Sequence, residues 1–171
     1  MGGMSVTILS GPVGAGKTTV AKELIALLPA PVTYIEGDTF WSFIAKSDGR
    51  DPREVFGTIM RAMTAATIPF SRSGFEVLLD FSIPPHFLDT ARKILKEVPL
   101  NYVVLRPSLA ICEARALARP DGKIVEYGRY REFYELFANH APSIVCDDET
   151  DATTIAKDIC ESLRAGKFAI S

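Results

Sequence analysis

Strand-like apolar runs recur along this chain at Val6–Leu9, Val32–Ile35, Phe75–Leu79, Tyr102–Leu105 and Ser143–Cys146. The runs are apolar on consecutive rather than alternate positions, which predicts strands covered on both faces. Between them, apolar positions return at helical spacing over Lys17–Leu28, Pro52–Ser73, Pro85–Glu97, Ser108–Arg119, Tyr127–Asn139 and Ala152–Ala165. Strands alternating with helices predict an α/β chain whose parallel sheet is wrapped by helices on both sides. No repeat or low-complexity linker interrupts the pattern, and 171 residues predict one domain. Open parallel sheets bind ligands beyond the carboxyl ends of their strands, so the residues after each run are read first.

After the first run the chain reads SGPVGAGKTTV, Ser10–Val20. Gly11, Gly14 and Gly16 free the backbone of Cβ atoms where N–H groups must surround an anion, and the following helix adds its positive dipole end. Lys17 can reach β- and γ-phosphates, and the Thr18 hydroxyl can ligate Mg²⁺. This is a Walker A loop, with Ala15 and Thr19 counted among its nucleotide-binding residues. The plainer alternative is a glycine-rich turn capping a helix, but at ordinary residue frequencies the full pattern is rare. The loop names neither the base nor the destination of the phosphoryl group.

Asp38 follows the second run, where a carboxylate can take the proton of an acceptor hydroxyl, and Phe40 and Trp41 can form a wall beside it. The competing role for Asp38 is an N-cap for a helix starting near Thr39. Asp80 ends the third run and can hold Mg²⁺ opposite Thr18, or simply cap a turn. Phe81 stands where a motor-type ATPase would carry a glutamate, so water is the less favoured acceptor. After the fourth run comes a helix bearing Arg115 and Arg119, which lie four apart and share one helix face. They lead into Pro120-Asp121-Gly122, a break suited to a short lid over Pro120–Glu126, whereas the bland alternative is a solvated basic face. Asp147-Asp148-Glu149-Thr150-Asp151 follows the fifth run on the expected base side. No Asn-Lys-x-Asp sequence is present to read guanine, so adenine is the default.

Composition narrows the partners. A 47% hydrophobic content supports a compact core, and a formal net charge of −2 gives no overall attraction for nucleic acid or an anionic membrane. Cys112, Cys146 and Cys160 show no Cys-x-x-Cys spacing, and with only His86 and His140 no zinc cluster can be assembled; buried thiols are expected. No apolar run approaches a membrane span and Met1–Met4 lacks the regions of a signal peptide, so the cytoplasm is the expected compartment.

These residues together resemble the small P-loop kinases of the gluconate kinase, shikimate kinase and chloramphenicol phosphotransferase type. The likeness covers nearly the whole chain in element order, with GPVGAGKTT matching at residue level. Gly37-Asp38 matches the acceptor-side aspartate, Asp80 the acidic end of the third strand, and Arg115 and Arg119 the lid arginines. In such kinases the first of these typically lies along adenine and the second faces the phosphates. The resemblance implies a three-layer α/β/α sandwich with a five-stranded parallel sheet of order 2-3-1-4-5 and a short lid. It also implies ATP and Mg²⁺ as cofactors. Of Arg50, Arg53 and Arg61 in the segment Thr39–Ser73, Arg61 is expected with Asp38, Phe40 and Trp41 at the acceptor. No arrangement there identifies a shikimate, gluconate or antibiotic site.

The leading expectation is a monomeric or homodimeric kinase acting on a hydroxyl of a small molecule. Asp38 serves as base or orienter, Lys17 and Arg119 neutralise charge, and Mg²⁺ sits on Thr18 and Asp80. The alternative is an ATP-binding module or slow ATPase that acts as a switch through a protein partner. A nucleic-acid kinase or motor would need a basic track, and none is evident.

Overall fold

The computed structural model describes residues 4–119, 126–138, 143–144 and 150–170. The strands are β1 (Val6–Ser10), β2 (Val32–Glu36), β3 (Glu76–Asp80), β4 (Leu100–Leu105), β5 (Ser143–Ile144) and β6 (Ala169–Ile170). The helices are α1 (Lys17–Leu27), α2 (Pro52–Arg72), α3 (Leu88–Leu95), α4 (Leu109–Leu117), α5 (Gly128–Glu135) and α6 (Ala152–Arg164). The sheet order is β2-β3-β1-β4-β5, all parallel, in agreement with the order the resemblance implies.

β6 is an addition that the apolar pattern does not announce. It pairs antiparallel with the start of β4, Leu100 opposite Ile170 and Asn101 opposite Ala169, on the side of β4 that β5 uses further along. A two-residue strand is too short to show a period.

Alternate residues of each central strand feed two cores. Val6 and Ile8, Val77 and Leu79, and Tyr102 and Val104 pack under α2 and α3 with Ile59, Met63 and Ala91. Leu9, Leu78, Val103 and Leu105 pack under α1 and α6 with Val20, Leu24, Ile155 and Ile159. Apolar residues on consecutive positions therefore mean burial on both sheet faces. The edge strand β2 is only half-buried.

Local chemistry sets the helix starts. Asp51 caps α2 by accepting from the Arg53 amide at 2.8 Å, with Pro52 in the first turn, where its missing N–H is not needed. Asp151 caps α6 by accepting from the Thr154 amide at 2.8 Å. Three predicted helices are shorter than the pattern suggested. The stretch from Pro85 opens as a 3-10 turn over Pro85–Phe87 before α3. The stretch from Tyr127 is helical only over Gly128–Glu135. α4 stops at Leu117, so Arg119 lies beyond the helix and does not share a helical face with Arg115 as expected. Pro120 explains the stop, because the residue before a proline is driven out of the helical region. No helix among the described residues is long and apolar enough to cross a membrane.

Candidate nucleotide and acceptor site

The loop between β1 and α1 wraps against the ends of its neighbours. Gly14 has a φ of +86°, and a Cβ there would lie 2.1 Å from the Cys112 carbonyl oxygen of α4. Gly11 is crowded in the same way by the Leu105 carbonyl at the end of β4. These glycines thus let the loop dock on β4 and α4, in addition to freeing its own amides. Gly16 precedes α1 in the left-handed region, with the Arg115 guanidinium 3.6 Å from where its Cβ would be. Ala15 is buried and Thr19 exposed.

Lys17 Nζ donates to the carbonyls of Gly11 at 3.3 Å and Pro12 at 3.1 Å. Burial pushes the ammonium below the usual lysine value of 10.5, the carboxylates of Asp80 and then Asp38 oppose the shift, and the Arg119 guanidinium adds to it. Four predicted site residues from four segments therefore share one electrostatic neighbourhood.

Asp80 is buried and accepts from Thr18 Oγ1 at 2.8 Å and from Tyr34 OH at 3.0 Å, both on Oδ2. Burial first, and then the charge of Asp80, raise the Tyr34 phenol well above its usual range. Thr18 and Asp80 are hard oxygen donors of the kind Mg²⁺ takes. No group of three or more His, Cys, Asp or Glu side chains among the described residues is placed to hold a metal by itself. Thr18 and Asp80 would therefore supply only part of the ligand set of such a cation.

Asp38 is exposed in the first turn of a 3-10 segment, Gly37–Phe43, whose N-cap position belongs to Glu36 with no side-chain cap bond. Thr39 Oγ1 donates back to the Glu36 carbonyl at 2.7 Å. The capping role for Asp38 is therefore not what the structure contains. Gly37 is pressed against Phe81, whose ring would lie 2.5 Å from a Cβ at that position, which brings the ends of β2 and β3 together.

Beside them lies a cluster of rings. Trp41 stacks on Phe56 with centroids 6.4 Å apart, Phe56 meets Phe81 at 5.5 Å and Phe133 at 6.1 Å, and Phe40 meets Phe43 at 5.0 Å. Trp41 is 40% and Phe43 68% exposed, so this rim presents apolar surface to incoming molecules. Arg61 is exposed on α2, where it donates to Thr58 of the same helix at 3.1 Å. The charge of Asp38 acts on Lys17, Trp41 stacks on Phe56, and Arg61 stays on the helix surface.

On the other side of the loop, Gly16, Thr19, Arg115, Thr150 and Ile155 line a cleft of about 240 Å³. Arg115 thus lies beside the start of α1, in the same cleft as Thr150. Neither Arg115 nor Arg119 joins an ion pair among the described residues, where the pairs are Arg50–Asp48 and Arg131–Glu113. A larger cleft of about 350 Å³ lies between Leu28, Glu76, Asn101 and Arg164. Its walls come from the amino ends of the strands, away from Lys17.

Residues 120–125 of the expected lid, Cys146, and Asp147–Glu149 of the acidic loop lie outside the described residues. Asp151 is the α6 cap. Cys112 and Cys160 are buried.

Three tyrosines escaped the sequence reading. Tyr34 reaches Asp80. Tyr127 OH donates to the Val13 carbonyl of the loop at 2.8 Å, and Tyr134 OH to the Pro107 carbonyl at 2.9 Å. Arg106 lies over the Tyr134 ring at 5.5 Å. Periodicity marked only the ring bodies as core, and nothing local tells where a phenol tip points.

A family model, chloramphenicol phosphotransferase-like protein, matches residues 4–164. Among curated proteins no significant match is found. A sugar kinase from Janibacter sp. HTCC2649 is similar in fold at 17% identity, with 94% of this chain and 95% of that chain covered and a TM-score of 0.70. A tunicamycin resistance protein from Deinococcus radiodurans is similar at 18% identity, 98% and 99% coverage and a TM-score of 0.71. An APS kinase from Mycobacterium tuberculosis, in complex with AMPPNP and APS, is similar at 17% identity, 94% and 98% coverage and a TM-score of 0.69.

Proposed function

This chain belongs to the chloramphenicol phosphotransferase-like protein family, and we propose that it transfers the γ-phosphoryl group of ATP to a hydroxyl of a small molecule. The observation that carries the reading is the pair of carboxylates acting on Lys17, Asp80 from the Thr18 side and Asp38 from the aromatic rim. A lysine on which both act suits a phosphoryl group in transit, which needs positive charge while its donor and acceptor are held in line.

In this reading the loop amides and Lys17 bind the phosphates, and Arg115 lies against the base. Thr18 and Asp80 would hold Mg²⁺, which supplies charge neutralisation at the phosphate oxygens. Asp38 orients the acceptor hydroxyl and accepts its proton, while Arg119 adds charge at the transferring group. Trp41 and Phe40 are suited to hold a flat or apolar part of the acceptor, and Arg61 to meet an outlying polar group. Phe81 in place of a water-activating glutamate supports an acceptor other than water. The similar proteins extend the range to consider to sugars, after the unliganded sugar kinase, and to APS, after the APS kinase.

Asp38→Asn separates this reading from a switch that hydrolyses ATP slowly. The asparagine keeps the shape and removes the charge. With a panel of hydroxylated acceptors, wild type should release ADP in an acceptor-dependent way and yield a phosphate ester detectable by phosphorus NMR. The variant should keep its melting temperature and ATP affinity while that turnover falls by roughly two to four powers of ten. ADP release indifferent to every acceptor and to Asp38→Asn would instead support the switch.

A further inference from the structure

Tyr34 belongs to none of the motifs that point to nucleotide chemistry, yet its hydroxyl lies 3.0 Å from Asp80 Oδ2, the oxygen that also accepts from Thr18 Oγ1. Three elements meet at that oxygen: β2 through Tyr34, β3 through Asp80 and α1 through Thr18. In the ladder Tyr34 is opposite Leu78, and it is Glu36 that is opposite Asp80. The contact is therefore diagonal, forward along the strands by two residues, a span suited to a long side chain with its donor at the tip. The ring is rigid and packs in the α1-side core, so the hydroxyl is delivered from a fixed base.

We propose that Tyr34 is a positioning residue for the cation that accompanies the nucleotide. With two donors on Oδ2, the Asp80 carboxylate is held in one orientation. The Thr18 hydroxyl proton stays committed to it, and the Thr18 oxygen keeps its lone pairs for a metal. Outer partners of this kind tune metal affinity through the ligands they orient. The inference rests on the nucleotide reading only for the assignment of Thr18 and Asp80 as the cation's protein ligands.

The test is calorimetric titration with AMPPNP in excess Mg²⁺ and again in EDTA, on wild type, Tyr34→Phe and Thr33→Val. Wild type should bind more tightly with Mg²⁺. Tyr34→Phe should match wild type in EDTA within about twofold and lose about tenfold or more of the Mg²⁺-dependent gain. Thr33→Val perturbs the same strand without touching Asp80 and should retain the full gain. In turnover, Tyr34→Phe should need about tenfold more Mg²⁺ for half-maximal rate, with kcat recovered at saturation. A wild-type ratio of the two affinities in Tyr34→Phe overturns the proposal, and so does an equal loss in Thr33→Val, which would make strand integrity the cause. If wild type itself gains nothing from Mg²⁺, the nucleotide-site reading falls as well, a result distinct from failure of Tyr34 alone. Melting curves without ligand establish a temperature at which all three proteins are folded.

Discussion

Arg115 and Arg119 are four positions apart with the end of a helix between them, and under the proposed function that difference would give them different tasks. Arg115 is on α4 with its guanidinium beside Gly16, in the cleft that also presents Thr19 and Thr150. Arg119 lies past the helix, and its charge is felt by Lys17. A guanidinium flat against a base contributes to binding in ground and transition states alike, whereas one facing the phosphoryl group acts most strongly as charge redistributes. Arg119→Ala should lower kcat by about a hundredfold or more while ATP affinity changes by less than about threefold. Arg115→Ala should weaken ATP binding by about tenfold with kcat largely kept. Steady-state kinetics with calorimetric ATP affinities decide both, and reversed behaviour of the two variants would exchange their roles.

At the level of elements, the start of α6 bears on both stability and the nucleotide cleft. Asp151 accepts from the amide and hydroxyl of Thr154, and Thr153 reaches across to Glu23 of α1 at 3.0 Å. The Thr154 amide is the main reason the Asp151 carboxyl sits below its ordinary value of 3.8. A carboxylate with a lowered folded value contributes its full stabilisation above the ordinary value and loses it as pH falls through the folded one. Asp151→Ala should therefore lower the melting temperature by about 2–4 °C at neutral pH, and Asp151→Asn by less. The gap between wild type and Asp151→Ala should stay constant from neutrality down to about pH 5 and narrow only below 3.8. Thermal melts across that range test it, and a gap that closes already near pH 6 would mean that another group carries the effect.

For the whole molecule, stability and chemistry lie at opposite ends of one sheet. β6 closes the amino end of β4 through Leu100–Ile170 and Asn101–Ala169, and Arg92 of α3 donates to the Ile170 carbonyl. The loops around Lys17, Asp38 and Asp80 follow the carboxyl ends of β1, β2 and β3. Deleting residues 169–171 removes a few partly exposed hydrogen bonds, worth about 1–2 kcal/mol together, and should lower the melting temperature by about 3–6 °C. ATP affinity and kcat should stay within about twofold of wild type when measured well below the transition. A large kinetic defect would show that the sheet transmits strain from one end to the other.

The order of strands and helices and the phosphate loop were determined by local sequence, because each depends on residues close together in the chain, whereas the pairing of strands such as Val6 with Val77 joins distant segments. Consecutive apolar positions encode strands buried on two faces, and Gly11 to Thr18 form their loop from eight adjacent residues. The positions of Asp38 just after β2 and of Asp80 at the end of β3 were also legible, because the apolar runs before them end there. What the tertiary structure alone decided is how distant segments converge. Asp38 is on a 3-10 turn with Glu36 in the cap position, and a cap depends on backbone geometry that residue type does not dictate. Tyr34 and Tyr127 enter the site through hydroxyls bonded 46 and 114 residues away, and periodicity reads a ring only as core. Lys17 was recognisable from its neighbours in the chain, but the burial that lowers its proton affinity and the carboxylates that oppose that shift come from other segments. A sequence records neighbours along the backbone, and a charge responds to neighbours in space.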